Sequence, residues 1–105
     1  MLVVGKMSFF AGRKVTVLQC GSFNPPHLLH LLMCEDAREA LTAAGATVVE
    51  GMISPASSKY GKQGLLDGEH RLAMCQLATR SSDWIRVNDG EVRSETFVRS
   101  RAVLE

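Results

Sequence analysis

A chain of 105 residues, 46% hydrophobic and 22% charged, has the size and composition of one globular domain or of a piece of one, and its charged fraction excludes wholesale disorder. The formal net charge of +1 gives no general attraction to nucleic acid or to a membrane surface, and no apolar run approaches the roughly 20 residues of a membrane span. Three cysteines (Cys20, Cys34 and Cys75) with no C-x-x-C pair argue against a disulfide framework and for a reducing compartment, cytoplasmic or nuclear.

Residues 1–13 read as a loose leader, because the apolar stretches Leu2-Val3-Val4 and Phe9-Phe10 are split by Gly5-Lys6 and form no signal-peptide core. Val15–Cys20 is uncharged and rich in β-branched residues, and it runs into the turn cluster Gly21-Ser22-Phe23-Asn24-Pro25-Pro26. That pattern predicts a strand buried on both faces. A helix is expected over His27–Ala44, with Leu29, Met33, Ala37, Ala40/Leu41 and Ala44 on its apolar face and Gly45 as its terminating residue. Thr47–Ser54 reads as a second strand and Pro55–Gly68 as a polar loop. Asp67 is a natural N-cap for a helix over Glu69–Thr79. Trp84–Asn88 reads as a short third strand, and Glu91–Glu105 as a helical tail. Strands alternating with helices predict an α/β fold with a parallel sheet and right-handed crossovers, half of a doubly wound domain.

In such sheets ligands sit at the carboxyl ends of the strands. The turn after the first strand leads into a helix N-terminus, where unpaired N–H groups and the helix dipole suit a phosphate. Neither G-x-G-x-x-G nor G-x-x-x-x-G-K-[ST] is present, and Gly21 by itself is equally a tight turn. His27 and His30, three residues apart, share one side of the first helical turn and can donate to phosphoryl oxygens. The same segment offers Cys20, His27, His30 and Cys34 as a zinc set, although the spacing matches no common structural zinc pattern and buried free cysteine is ordinary packing. Lys59 and Lys62 flank Tyr60 in the loop after the second strand; each is either a solvated loop cation or one able to swing onto a phosphate. His70-Arg71 reads as a capping or packing feature.

Gly21-Ser22-Phe23-Asn24-Pro25-x-His27-x-x-His30 resembles the G-x-F-x-P-x-[HT]-x-x-H signature of nucleotidyltransferases. Glu50-Gly51-Met52-Ile53-Ser54-Pro55, Tyr60-Gly61-Lys62-Gln63-Gly64-Leu65, Glu69–Thr79 and Trp84 narrow the likeness to the eukaryotic nicotinamide mononucleotide adenylyltransferases, over roughly Val15 to Ser100. The resemblance implies a Rossmann-like, three-layer α/β/α nucleotidyltransferase fold. It also implies an enzyme that joins ATP to nicotinamide or nicotinic acid mononucleotide, with Mg²⁺ on the ATP phosphates, giving NAD or deamido-NAD and pyrophosphate. It places Gly21, Ser22 and Phe23 on the mononucleotide, His30 on the ATP phosphates with His27 at the His-or-Thr position, and Lys62 on the mononucleotide phosphate with Tyr60 beside it. Phe97 falls where the family has a Trp that stacks on nicotinamide, and Ser100 where it has a Thr. No protein metal site, nucleic acid or membrane is implied.

Two departures stand out. Asn88-Asp89-Gly90-Glu91 replaces the family's usual Asp-Thr-Trp-Glu, and no segment resembles the I-S-S-T-x-x-R stretch of the family's second half. The expected organisation is therefore a leader at 1–13 and the amino-terminal half of a nucleotidyltransferase domain, its first βαβαβ half, at 14–105. In a sheet ordered 3-2-1-4-5 the first strand is central, so in this chain one of its edges is expected to stay unpaired and to favour association with another chain, a second copy included. The alternative functions are a non-catalytic half-domain that binds nucleotide weakly or pairs with another chain, and a small zinc module.

Overall fold

The computed structural model describes residues 7–57 and 64–93. Along Lys14–Gly21, which forms strand β1, the buried Val17 and Gln19 alternate with half-exposed neighbours. Helix α1 follows at Leu28–Ala43, strand β2 at Thr47–Pro55, helix α2 at Gly68–Ala78 and strand β3 at Ile85–Val87. The three strands form one parallel sheet in the order β1-β2-β3. The β1–β2 register slips once, between Val15 paired with Val48 and Thr16 paired with Glu50, which leaves Val49 as a bulge.

Both crossovers advance in the same direction across the sheet, so their right-handedness puts α1 and α2 on the same face. Cys34, Ala37 and Leu41 of α1 and Cys75 of α2 accordingly share one core with Val17, Ile53 and Ile85. This is the expected Rossmann-like βαβαβ unit, and its described residues form the sheet and one of its helical layers. On the opposite face Thr16 and Arg86 are exposed, Leu18 and Met52 are half-buried, and Arg86 pairs with Glu50 at 2.7 Å. Among the described residues β1 has no strand on its other edge.

The helix ends follow the sequence closely. Gly45 adopts φ +92°; its N–H donates to the Thr42 carbonyl and the Ala46 N–H to the Leu41 carbonyl, each at 3.0 Å. That pair of bonds is the Schellman ending, and Ala46 and Leu41 are both buried beneath it. The Asp67 carboxylate accepts from the Glu69 N–H and so caps α2.

Two expectations are corrected. The buried stripe of α1 is Cys34, Ala37 and Leu41, with Leu31 packed on it, whereas Leu29 and Met33 are 62% and 38% exposed. Five of the first six residues of α1 are apolar (Leu28, Leu29, Leu31, Leu32 and Met33), so periodicity cannot fix the phase of its first turns. Part of the segment read as a leader is structured: Met7–Phe10 forms a 3-10 turn, Phe10 packs on the core, and the Gly12 N–H donates to the Gly45 carbonyl. The expected tail helix lies outside the described residues beyond Arg93.

Trp84, just before β3, packs against β2 at Gly51, where an added Cβ would come within 2.7 Å of the indole ring. Its indole N–H donates to Glu35 of α1 at 2.7 Å, and the Arg38 guanidinium lies 4.8 Å from a ring centre. Gly51→Ala is therefore expected to destabilise the fold by about 1–3 kcal/mol, the usual cost of overpacking. Urea denaturation would measure this, with the emission of Trp84, the chain's only tryptophan, as the probe. An unchanged midpoint would mean that the indole moves aside freely.

Candidate functional site at the carboxyl ends of the strands

β1 leaves the sheet at Gly21, whose carbonyl accepts from the Ala56 N–H at 2.8 Å just past the end of β2. This bond holds the two strand ends together beneath the loop Ser22–His27. Phe23 then turns back at φ +49° with its ring 1% exposed. Left-handed backbone is uncommon for a bulky residue, and here the buried ring supplies the compensating contacts. The Phe23 side chain is thus anchored in the core, while its backbone forms the turn.

The His27 backbone is extended (φ −145°, ψ 175°) and opens α1 as its N-cap. Its N–H donates to Nδ1 of His30 at 2.9 Å. A nitrogen that accepts carries no proton, so the neutral His30 ring holds its hydrogen on Nε2 and can donate from there. The imidazole packs against two rings, the tilted Phe23 at 4.7 Å and the stacked His27 at 3.8 Å between centroids. Burial holds the His30 pKa below the usual histidine value, and the His27 charge adds to the effect. His30 is therefore a neutral, oriented donor at neutral pH.

The lowered pKa fixes a sign for stability. Below about pH 6.5 the unfolded chain binds this proton more readily than the folded one, so the His30 contribution is present above that pH and is lost as pH falls through the folded pKa. Between pH 7 and pH 5 the melting temperature is expected to fall more for the parent than for His30→Gln, which keeps an acceptor for the His27 N–H but does not titrate. Parallel profiles would place the titration elsewhere.

Three residues that sequence reasoning left outside the site hold its loops in place. Asn24 donates from Nδ2 to the Gly64 carbonyl and accepts the Leu66 N–H on Oδ1, both at 2.9 Å. Arg71, in the first turn of α2, is fully buried; Nε donates to the Leu66 carbonyl at 2.7 Å and an Nη to the Ser22 carbonyl at 2.9 Å. Glu91, also buried, accepts from the Ser54 hydroxyl at 3.1 Å at the end of β2. Burial raises the Glu91 pKa, against the Ser54 hydrogen bond and the nearby Arg71 charge. For Arg71 a signal was present: it shares the inward face of α2 with Cys75, at i and i+4.

Of the residues singled out from sequence, Gly21, Ser22, Phe23, His27 and His30 come together in one loop and helix start. Tyr60, Lys62, Phe97 and Ser100 lie outside the described residues. The zinc grouping does not assemble. Cys34 is fully buried and donates its thiol to the Gln19 amide oxygen at 3.3 Å, and no three His, Cys, Asp or Glu side chains among the described residues are grouped to hold a metal. Burial also raises the thiol pKa of Cys34, and that of Cys75 to about 11, so both are protonated core residues at neutral pH. Apart from the loops, a cavity of about 350 Å³ opens among Leu31, Glu35, Arg38, Ser82 and Trp84.

Residues 18–103 match the model of the cytidylyltransferase-like family. The chain is 49% identical over 92 residues to nicotinamide/nicotinic acid mononucleotide adenylyltransferase 2 of Danio rerio, covering 87% of this chain and 30% of that protein. It is 43% identical over 93 residues to nicotinamide-nucleotide adenylyltransferase of Drosophila melanogaster, covering 88% of this chain and 24% of that protein. To nicotinamide/nicotinic acid mononucleotide adenylyltransferase of Arabidopsis thaliana it is 39% identical over 107 residues, covering 98% of this chain and 45% of that protein. The chain thus spans less than half the length of each of these relatives.

Proposed function

Because the chain belongs to the cytidylyltransferase-like family, we propose that it supplies the substrate-holding part of an adenylyltransferase that joins ATP to nicotinamide or nicotinic acid mononucleotide in NAD biosynthesis. The observation that carries this reading is the His30 ring, its Nδ1 occupied by a backbone N–H, set on a helix start beyond the carboxyl ends of two parallel strands. Its Nε2–H is a preorganised donor where a phosphate would meet the helix dipole.

An oxygen of the mononucleotide 5′-phosphate attacks the α-phosphorus of ATP in line. A P–O bond forms there as the bond from the α-phosphorus to the α,β-bridging oxygen breaks, and pyrophosphate leaves. No covalent enzyme intermediate is needed, so catalysis consists of positioning and charge stabilisation. His30 donates to the ATP phosphates, with His27 beside it. Gly21, Ser22 and Phe23 hold the mononucleotide, Lys62 meets its phosphate with Tyr60 adjacent, Phe97 stacks on the pyridine ring, and Ser100 donates a hydroxyl. In this reading a divalent cation, Mg²⁺, would accompany the ATP phosphates as part of that substrate and offset their charge.

Incubating the purified chain with ATP, Mg²⁺ and either mononucleotide, and measuring NAD or deamido-NAD by chromatography, tests the proposal. Product formation supports it; absence of both turnover and mononucleotide binding contradicts it. Binding without turnover would favour the second reading, a non-catalytic half-domain that holds nucleotide weakly.

Within the same reading, Lys62→Ala is expected to raise the KM for the mononucleotide by about tenfold, comparable to losing one hydrogen bond to a charged group. The KM for ATP should stay unchanged in steady-state kinetics. A rise confined to ATP would contradict the assigned role.

A further inference from the structure

The fully buried guanidinium of Arg71 belongs to no step of the proposed reaction. It reaches 49 residues back along the chain to the Ser22 carbonyl and at the same time grips the Leu66 carbonyl. The Ser22–Phe23 peptide is trans, so its C=O and N–H point in opposite directions. Fixing the carbonyl toward Arg71 therefore fixes the Phe23 N–H away from it. Among the described residues neither the Ser22 N–H nor the Phe23 N–H has a hydrogen-bond partner. The second grip acts on the segment that follows residues 58–63 in the chain. Leu66 is held through its carbonyl by Arg71 and through its N–H by Asn24, which also holds Gly64, two residues beyond Lys62.

We infer that Arg71 is a positioning residue: its guanidinium sets the plane of the Ser22–Phe23 peptide, so that the Phe23 N–H is presented to the mononucleotide, and locks that peptide in a single frame with the Gly64–Leu66 segment that follows Lys62 in the chain. The assignment of the mononucleotide to this N–H rests on the proposed function; the setting of the peptide does not. A fork with two donors in fixed relative geometry is required, because two carbonyls from different loops are gripped by one group. A lysine keeps the charge but presents a single point donor.

The test uses the ¹⁵N-labelled chain and the variants Arg71→Lys and Arg71→Met, the second removing the charge as a check on folding. In a variant that keeps the parental far-ultraviolet circular dichroism and the amide protection of Ile85, the Phe23 amide is expected to shift and to lose heteronuclear NOE, and the Leu66 amide to exchange about tenfold faster. Nicotinamide mononucleotide, titrated by calorimetry, is expected to bind about tenfold more weakly to Arg71→Lys than to the parent, the effect of losing one charge-assisted contact. An unmoved Phe23 amide in a folded variant overturns the inference, as does loss of the whole fold in both variants, which would make Arg71 a general core residue. If the parent fails to bind the mononucleotide, the proposed function falls, and the Phe23 and Leu66 amides alone decide the role of Arg71.

Discussion

Replacing His30 by alanine is expected to reduce NAD synthesis by about 10²-fold or more in any form of the protein that shows turnover, since one preorganised donor to transition-state charge contributes about 2.7–4 kcal/mol. Geometry makes His30 the more critical of the pair. Its Nδ1 is engaged by the His27 N–H and its ring is packed against buried Phe23, so Nε2–H is held in place before substrate arrives. His27 is exposed and contributes its ring as a stacking neighbour, so His27→Ala should be milder. His30→Ala also removes the acceptor for an N-terminal N–H of α1; His30→Gln separates the two effects, because it can keep that bond while changing the donor. Near-parental rates for both alanine variants would make the histidines structural.

Phe23→Ala is expected to be strongly destabilising, by about 3–5 kcal/mol for emptying a buried aromatic site. Small domains have about 5–15 kcal/mol in total, so the variant would stand near the limit of folding. The ring is 1% exposed and joins the core cluster formed with Val17, Cys34 and Ile53. It also supports one face of His30, so even the folded fraction should hold the imidazole less firmly. Urea denaturation followed by Trp84 emission measures the change. A loss below about 1 kcal/mol would mean that the loop closes over the gap, and that the left-handed turn at Phe23 does not depend on the buried ring.

Legibility in the sequence followed the range of the interactions. The ends of α1 and α2 were readable because Gly45 and Asp67 act within a few residues of themselves, and β1 and β2 because β-branched runs meet Gly and Pro. The clustering of Gly21, Ser22, Phe23, His27 and His30 was readable for the same reason, since all lie within one loop and one helical turn. The phase of α1 was not, because its first turns are apolar at nearly every position but His30, and contact with the sheet decides which side turns inward. Nor could Trp84 be recognised as a plate over Gly51, or Arg71 and Asn24 as clamps on the loops. Those contacts join residues 33, 49 and about 40 positions apart, and no local pattern encodes them.

The central claim is that a pyridine mononucleotide is held on the Gly21–His30 turn beyond the ends of β1 and β2. The most direct measurement is a titration of the ¹⁵N-labelled 105-residue chain with nicotinamide mononucleotide, followed by two-dimensional amide spectra. The account predicts saturable shifts at Gly21, Ser22, Phe23 and His30, with the core strand amides of Ile85 and Val87 unmoved. Shifts confined to the cavity around Glu35, Arg38 and Trp84, or no saturable shift on the Gly21–His30 turn, would contradict it.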